Sequence, residues 1–244
     1  MIYTRYATAA CLADGKRVLE VGCGGGLGLG LVRARAQFLA AGDYSATLLQ
    51  TARGHYGSRI PLLRFSANAL PFRSASFDLI ILLETSYYLE RVELVLEEIE
   101  RVLAPTGTVL VTSANPERPD FIPSPHSVRY HTADELRGCL RSRGFDVTVE
   151  AAFPVASHGD GALSSMSGSA VRRGRQILAA LDLVPRSLRG RSRLKWLIHR
   201  DLSFVPPELP HGFSPVEPLV PHAPGPVPGF KVIYVLGKKA MAVL

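Results

Sequence analysis

Short apolar runs alternate with amphipathic helical segments through residues 17–153, and this alternation limits the folds open to the chain. Each apolar run has the length of a strand, and most are separated by segments whose apolar residues recur at helical spacing. A helix that joins two strands of one sheet is the unit from which parallel sheets are built. The runs are RVLEVG, FLAAGD, PLLRFS, FDLIILLE, TVLVTS, DVTVEAAF and, far down the chain, FKVIYVLGKK. They predict an α/β fold with a mostly parallel seven-stranded sheet and helices on both faces.

The chain divides by composition into three parts. Residues 1–153 form the predicted α/β core, and residues 230–244 hold the last strand and a tail. Between them, residues 154–229 combine a Gly/Ser-rich stretch, two basic amphipathic segments and a proline-rich run. Nine Arg or Lys residues and one acid lie within residues 172–200, against a net charge of +7 for the whole chain. We expect a helical, basic insert that can cover the substrate of the core.

Cysteine content and hydropathy exclude several classes of protein. Cys11, Cys23 and Cys139 are too few and too scattered for a disulfide framework or a CxxC metal site. No stretch reaches the roughly 18 apolar residues of a membrane span, and the N-terminus lacks the regions of a signal peptide. We therefore expect a cytoplasmic protein without a metal. The basic insert leaves an anionic small molecule, a membrane surface and nucleic acid open as partners.

A glycine-rich turn, RVLEVGCGGGLGLG, includes the first predicted strand and the residues after it. Glycine permits positive φ and a close approach of the backbone to a ligand, and the following helix presents free N–H groups. The spacing excludes two nucleotide motifs: Leu27 stands in place of the last glycine of G-x-G-x-x-G, and no Lys follows as a phosphate-binding loop requires. The residues present form E-x-G-x-G-x-G, made of Glu20, Gly22, Gly24 and Gly26.

Further stretches occur in the order of one known family. GDYS places Asp43 at the end of the second strand, 23 residues after Glu20, a spacing that would also suit NAD. SANALPF precedes the fourth strand, RVLAPTG precedes the fifth, VIYVLGKK lies in the last, and Arg5-Tyr6 precedes the first. Together with the glycine motif, these stretches resemble class I S-adenosylmethionine-dependent methyltransferases. The resemblance is to the small-molecule branch, which includes quinone-biosynthesis, sugar and natural-product enzymes.

The resemblance implies a Rossmann-like class I methyltransferase fold whose last strand inserts antiparallel at the sheet edge. It implies S-adenosylmethionine as cofactor and S-adenosylhomocysteine as product, and a cofactor without phosphates needs no Lys after the glycines. The positions that match the family's cofactor-binding residues are Tyr6, Glu20, Gly22, Cys23, Gly24, Gly26, Asp43, Tyr44, Ser66, Ala67, Asn68 and Glu84. Ser66 stands where the family commonly has Asp, so it can meet an adenine amino group only without charge, and Asn68 is a candidate substitute.

Methyl transfer is an in-line displacement, so the protein aligns a nucleophile, excludes water and in some cases removes a proton. Candidate proton acceptors are Glu84 after the fourth strand, and His126 and His131 in the loop after the fifth. Candidate substrate contacts are aromatic or basic residues near these strand ends and in the insert: Tyr87, Tyr88, Arg129, Tyr130 and Trp196. No Asp/Asn cluster indicates a metal-dependent transfer.

Three functions follow from these features. The first is methylation, of oxygen ahead of carbon or nitrogen, on a small or lipid-linked metabolite, with an anionic group on the substrate as an option. The second is RNA methylation through the basic insert; sparse aromatic residues there, and the lack of an N/D-P-P-Y stretch after the fourth strand, disfavour a nucleic-acid partner. The third is cofactor binding without transfer, which Ser66 favours. Peripheral membrane contact stays open, and the sequence indicates no oligomeric state.

Overall fold

The apolar runs of the sequence form the strands of one mixed sheet. The computed structural model describes residues 1–155, 207–212 and 216–240. Its helices are α1 (Ile2–Leu12), α2 (Leu29–Arg33), α3 (Ala46–Tyr56), α4 (Val92–Val102) and α5 (Ala133–Arg141). Its strands are β1 (Arg17–Val21), β2 (Phe38–Asp43), β3 (Leu62–Arg64), β4 (Phe77–Leu83), β5 (Leu103–Ala114), β6 (Phe145–Pro154), β7 (Val220–His222) and β8 (Phe230–Lys239).

The strand order is β3-β2-β1-β4-β5-β8-β6-β7. Strands β1 to β5 pair in parallel, whereas β8 runs antiparallel to both β5 and β6. The predicted α/β fold with a mostly parallel sheet is confirmed. Because β1 pairs with β2 on one side and β4 on the other, the chain crosses over in opposite directions from β1. The carboxyl ends of the strands at such a point border a crevice, which is where open α/β sheets bind ligands.

Two details of the predicted sheet are wrong. The sheet has eight strands among the described residues, because Val220–His222 pairs antiparallel with β6 at its outer side. This strand contains Pro221, which lacks an N–H and is tolerated only where no further strand must be bonded, as at an edge. The last strand, β8, is also not at an edge, since it lies between β5 and β6. Its buried run Val232–Val235 is the continuous apolar pattern of an interior strand.

Helices cover the sheet on both faces and enclose two apolar cores. One core joins α4 and α5 to the sheet, and the other joins α1, α2 and α3 to it. In α4 the apolar residues that recur at helical spacing are all buried: Val92, Val95, Leu96, Ile99 and Val102. The outward acids of this helix stay at least partly exposed, so its amphipathic pattern determines which face packs.

Local sequence signals mark the start and the end of α5 but do not mark the end of α2. A capping box, readable in the sequence as Thr132 three residues before Glu135, begins α5. Thr132 Oγ1 accepts a hydrogen bond from the Glu135 N–H, and Glu135 Oε2 accepts one from the Thr132 N–H. Gly144, at the turn after α5, has φ +77°, as its position predicts. In contrast, no such signal marks the end of α2, which ends at Arg33 shortly before Ala36 pairs with Asp14 ahead of β2.

The predicted insert, residues 154–229, is described only at its ends. Residues 156–206 and 213–215 lie outside the described residues, so a helical insert stays a prediction. Residues 207–212 are described and contact the core, where the Leu209 N–H donates to the Leu27 carbonyl at 2.7 Å. None of the described helices has the length and hydropathy needed to cross a membrane.

Candidate cofactor and acceptor site

A cavity of about 650 Å³ opens where β1, β2 and β4 end. Its lining comes from the glycine turn after β1, the residues after β2 and β3, and the segment after β4. The predicted cofactor residues that line it are Gly22, Gly24, Asp43, Tyr44, Ser66, Ala67, Asn68 and Glu84. The tertiary structure therefore brings together residues that lie far apart in the sequence.

The glycine turn has a conformation that side chains would not permit. Gly22, Gly24 and Gly26 have φ of +81°, +56° and +80°, in the left-handed region that favours glycine. A Cβ at Gly22 would also lie 2.4 Å from Thr85 Cγ2, in the segment after β4. The alternation of glycines in the sequence thus corresponds to alternate left-handed residues, and the turn lets backbone approach the cavity closely.

Asp43 connects this turn to the next helix. Its Oδ2 accepts a hydrogen bond from the Gly24 N–H at 2.8 Å, and its Oδ1 accepts one from the Ser45 N–H at 2.8 Å. Ser45 is the N-cap of α3, and its side chain accepts from the Leu48 N–H. Each carboxylate oxygen has a second lone pair, so Asp43 can still accept hydrogen bonds from a ligand in the cavity.

Glu20 is a buried acid that immediately precedes the lining residues Val21 and Gly22 in the sequence. Its side chain is 1% exposed, and the Tyr6 hydroxyl donates to Oε1 at 2.8 Å. Oε2 has no hydrogen-bond partner among the described residues. Burial raises the pKa of Glu20 to about 7, the Tyr6 hydrogen bond opposes this shift, and the charge of Asp43 adds to it. A buried acid with a free oxygen is suited to a cationic donor.

The Tyr6 ring can reach Glu20 because it packs against Gly28, which has no side chain. A Cβ at Gly28, the N-cap of α2, would lie 2.1 Å from Cγ of the Tyr6 ring. Burial is the main cause that raises the pKa of Tyr6 well above its ordinary value, so its hydroxyl remains a donor. Gly28 is therefore required by the contact between α1 and α2.

Glu84 lies at the opposite side of the cavity, one residue beyond β4. It has φ +57°, a conformation that costs a non-glycine residue about 1–3 kcal/mol. Arg5 Nη2 lies 2.9 Å from Oε1, and the Tyr87 hydroxyl donates to Oε2 at 3.3 Å. Burial raises the pKa of Glu84, and Arg5 opposes that shift most strongly. The strained backbone thus presents a charge-compensated carboxylate to the cavity.

Comparison with known proteins identifies the core. Residues 19–111, which include the glycine turn, Asp43 and Glu84, match the family model described as a methyltransferase domain. The α/β core is a class I S-adenosylmethionine-dependent methyltransferase domain. A fatty-acid O-methyltransferase of Mycolicibacterium smegmatis is 34% identical over 119 residues, which cover 46% of this chain and 42% of that protein. A probable S-adenosylmethionine-dependent methyltransferase of Mycobacterium tuberculosis is 30% identical over 151 residues, which cover 59% of this chain and 53% of that protein.

The chain spans about half the length of the curated relatives it matches. Solved structures resemble it over nearly its whole length. A methyltransferase from Thermotoga maritima has a TM-score of 0.59 at 16% identity and covers 98% of this chain and 89% of its own. The YcgJ protein of Bacillus subtilis has a TM-score of 0.61 at 17% identity and covers 98% and 99%. At these identities the likeness shows the fold alone.

The cofactor of the methyltransferase family is S-adenosylmethionine, and the cavity fits it. The left-handed turn brings the backbone of Gly22 and Gly24 to the cavity wall, and Asp43, which also lines the cavity, has free acceptor capacity. Ser66 lines the cavity, and its Oγ accepts from the Asn68 N–H at 3.3 Å. When bound, the cofactor supplies a methyl group activated by a sulfonium. Four residues predicted to bind the cofactor do not belong to the described lining of the cavity: Tyr6, Glu20, Cys23 and Gly26.

The predicted substrate residues of the methyltransferase core form an aromatic cluster. Tyr87 is buried and stacks on Tyr130 with ring centres 4.5 Å apart and an angle of 25° between the planes. Tyr88, 49% exposed, is the member of this cluster that lines the cavity. Arg129 is exposed and pairs with Glu135 at the start of α5. Trp196 lies outside the described residues.

The two predicted histidines have different surroundings. His126 is exposed in the loop between β5 and α5. His131 is 5% exposed, and its pKa is lowered by burial and then by the charge of Arg129. Neither histidine belongs to the described lining of the cavity, whereas Glu84 does. Of the three candidate proton acceptors, Glu84 is the one that the fold brings beside the glycine turn.

Sequence reasoning missed several lining residues. These are Val21, Leu48, Phe65, Thr85, Leu89 and Glu90. Most of them adjoin a predicted residue in the sequence, and Leu48 lies four positions after Tyr44, at helical spacing. Arg5 belongs to the Arg5-Tyr6 pair that precedes β1, and its contact with Glu84 depends on how α1 packs against β4.

Proposed function

We propose that this chain is an active S-adenosylmethionine-dependent methyltransferase that transfers a methyl group to an oxygen of a small or lipid-linked metabolite. The observation that carries the proposal is that one cavity has two sides of different chemistry. On the β2 side lie the glycine turn and Asp43, which fit the cofactor. On the β4 side, Glu84, Tyr88 and Leu89 offer a carboxylate and apolar surface to a second molecule.

The relatives support this substrate class. Besides the fatty-acid O-methyltransferase, they include a ubiquinone biosynthesis O-methyltransferase of Chelativorans, 30% identical over 116 residues that cover 46% of each chain. They also include a probable phthiotriol/phenolphthiotriol dimycocerosates methyltransferase of Mycobacterium ulcerans, 37% identical over 112 residues that cover 43% of this chain and 42% of that protein. The names of all three indicate small or lipid-linked substrates, and we extend that class to this chain.

Two other functions have less support. RNA methylation rests on the basic charge of residues 172–200, whereas the described lining of the cavity carries three carboxylates and no Arg or Lys, which opposes a polyanion. Cofactor binding without transfer rests on Ser66. The three free cysteines agree with a reducing cytoplasm, and we propose that location for the protein. We also propose that the insert covers the substrate and that the protein contacts a membrane surface.

Labelled cofactor and a fractionated cell extract test the proposal. We expect a metabolite or lipid fraction to gain the label, and Asp43→Ala to weaken cofactor binding at least tenfold in calorimetry. The expectation follows because Asp43 accepts two backbone N–H bonds, and a hydrogen bond to a charged group contributes about 1.5–3 kcal/mol. The matched control is Asp146→Ala, which removes an exposed carboxylate on β6.

The outcomes separate the three functions. Label in RNA, lost at high salt, would support nucleic-acid methylation instead. Normal cofactor binding with no labelled product in any fraction would support the third function, cofactor binding without transfer. Failure of the wild-type protein to bind the cofactor would contradict the cavity assignment itself.

A further inference from the structure

The side of the cavity that faces an acceptor is acidic. Among the described lining residues, Asp43, Glu84 and Glu90 are carboxylic acids, and none is Lys, Arg or His. Asp43 is already bonded to backbone N–H groups on the cofactor side. Glu84 and Glu90 belong to the segment after β4, next to Tyr88. Like charges oppose each other, so this segment disfavours an anionic group and favours a hydrogen-bond donor.

Two contacts hold the Glu84 carboxylate in position. Arg5 contacts one oxygen, and the Tyr87 hydroxyl donates to the other. Both partners are 8% exposed. Each carboxylate oxygen keeps a lone pair for a further donor.

Arg5 is paired with this carboxylate and does not belong to the described lining of the cavity. It is buried on α1, and its guanidinium is 2.9 Å from Glu84 Oε1. Its charge instead favours the deprotonated form of Glu84. Arg5 is therefore a positioning residue, and Glu84 is the group that can touch an acceptor.

Resting on the proposed function, we infer that the acceptor presents a neutral hydroxyl to Glu84 and that a carboxylate is not methylated at this site. The hydroxyl proton moves to the Glu84 carboxylate as the oxygen forms its bond to the methyl carbon. The bond between that carbon and the sulfonium sulfur breaks, and its electron pair stays on sulfur. Positive charge on sulfur and negative charge on Glu84 disappear together. A carboxylate acceptor would have no proton for Glu84 to accept.

The body that carries the hydroxyl is apolar. Tyr88 and Leu89 line the cavity in the same segment as Glu84, and Tyr88 is about half exposed. An exposed aromatic residue and a partly buried carboxylate in one cavity match a molecule with one polar tip and an apolar body. Phenols and fatty alcohols both have this form.

The first test measures the binding affinity of two probes of nearly equal shape, 4-hexylphenol and 4-hexylbenzoate, and involves no methyl transfer. Near neutral pH the phenol is uncharged and the benzoate is an anion. We expect wild-type protein to bind the phenol at least about tenfold more tightly, and Glu84→Gln to reduce that preference. Glu97→Gln, which alters an exposed glutamate of α4, is the matched control and should keep it. Should the benzoate bind as well as the phenol, the assignment is wrong.

The labelled product gives the second test and needs no variant. A methyl ester releases its label as methanol in mild alkali, whereas a methyl ether resists alkali and releases its label in hot hydriodic acid. We expect the second behaviour. Alkali-labile label, or label that hydriodic acid does not release, would overturn the hydroxyl assignment while leaving methyl transfer intact. No labelled product, with the cofactor bound, would contradict the proposed function itself.

Glu84→Gln and Glu84→Asp complete the design. Loss of a general base lowers turnover by about 10²–10⁴-fold, and we expect Glu84→Gln to fall in that range while cofactor affinity changes far less. Glu84→Asp keeps a carboxylate and should recover part of the rate. Equal rates for Glu84→Gln and wild type would exclude Glu84 as the proton acceptor.

Discussion

Glu20 is expected to make the stability of the fold depend on pH, and Glu20→Gln isolates this effect. Its side chain is 1% exposed, and burial raises its pKa from 4.5 to about 7. Because the pKa of the folded state is the higher one, the contribution of Glu20 to stability is fully present below about pH 4.5. It is lost as the pH rises through about 7. One pKa unit is about 1.4 kcal/mol, so the complete loss is about 3 kcal/mol.

The free energy of unfolding can be measured by guanidinium denaturation without cofactor, at about pH 5 and about pH 8.5. About 1 kcal/mol of the loss is already present at the lower pH, so wild type should lose about 2–3 kcal/mol more than Glu20→Gln between them. The amide oxygen of the variant can still accept from Tyr6. Titration of every other group cancels in the difference between the two proteins. Identical pH dependences would refute the argument that burial controls this carboxyl.

Three further predictions concern contacts around the site. Glu84→Ala and Glu84→Gly both remove the carboxylate, but only alanine keeps the strain of the left-handed backbone. Thermal denaturation should therefore find the glycine variant more stable by about 1 kcal/mol. Equal stabilities would show that no strain is present. Gly28→Ala should destabilise the folded protein by about 1–3 kcal/mol because the new methyl group displaces the Tyr6 ring. The control Gly54→Ala lies in α3 with open space around it and should stabilise the protein by about 0.5–1 kcal/mol. A neutral Gly28→Ala would contradict the packing of α1 on α2. Tyr6→Phe removes the hydrogen bond that opposes the pKa shift of Glu20, so the pH step should move upward, and an unchanged midpoint would argue against that bond.

The cofactor side of the site was predictable because its signals are local. The spacing of Gly22, Gly24 and Gly26 is repeated in the structure as three left-handed residues after β1. Asp43 was predicted from its place at the end of a strand, and it lines the cavity together with Ser66. In each case, a strand that ends beside its parallel neighbours brings the next residues to one edge of the sheet.

The acceptor side was predictable only in part. Glu84 follows an apolar strand and could be selected from the sequence, but its partner Arg5 belongs to α1, and their contact depends on helix packing. His126 and His131 have suitable chemistry in the sequence, yet the fold leaves one exposed in a loop and the other buried outside the described lining of the cavity. Residue type identifies what a side chain can do, whereas tertiary structure decides what it can reach. Tyr87 was selected as a substrate contact, and its hydroxyl bonds to Glu84.

The sequence by itself determined the α/β class, the parallel β1 to β5 region, the conformation of the glycine turn and the capped start of α5. These depend on periodicity, backbone conformational preference and hydrogen bonds between residues close in the chain. Only the tertiary structure decided that β8 lies between β5 and β6, that Val220–His222 adds an eighth strand, and that Arg5 compensates Glu84. These features join segments distant in sequence, and such pairings are selected by burial and sheet bonding in the assembled fold, which no local pattern contains.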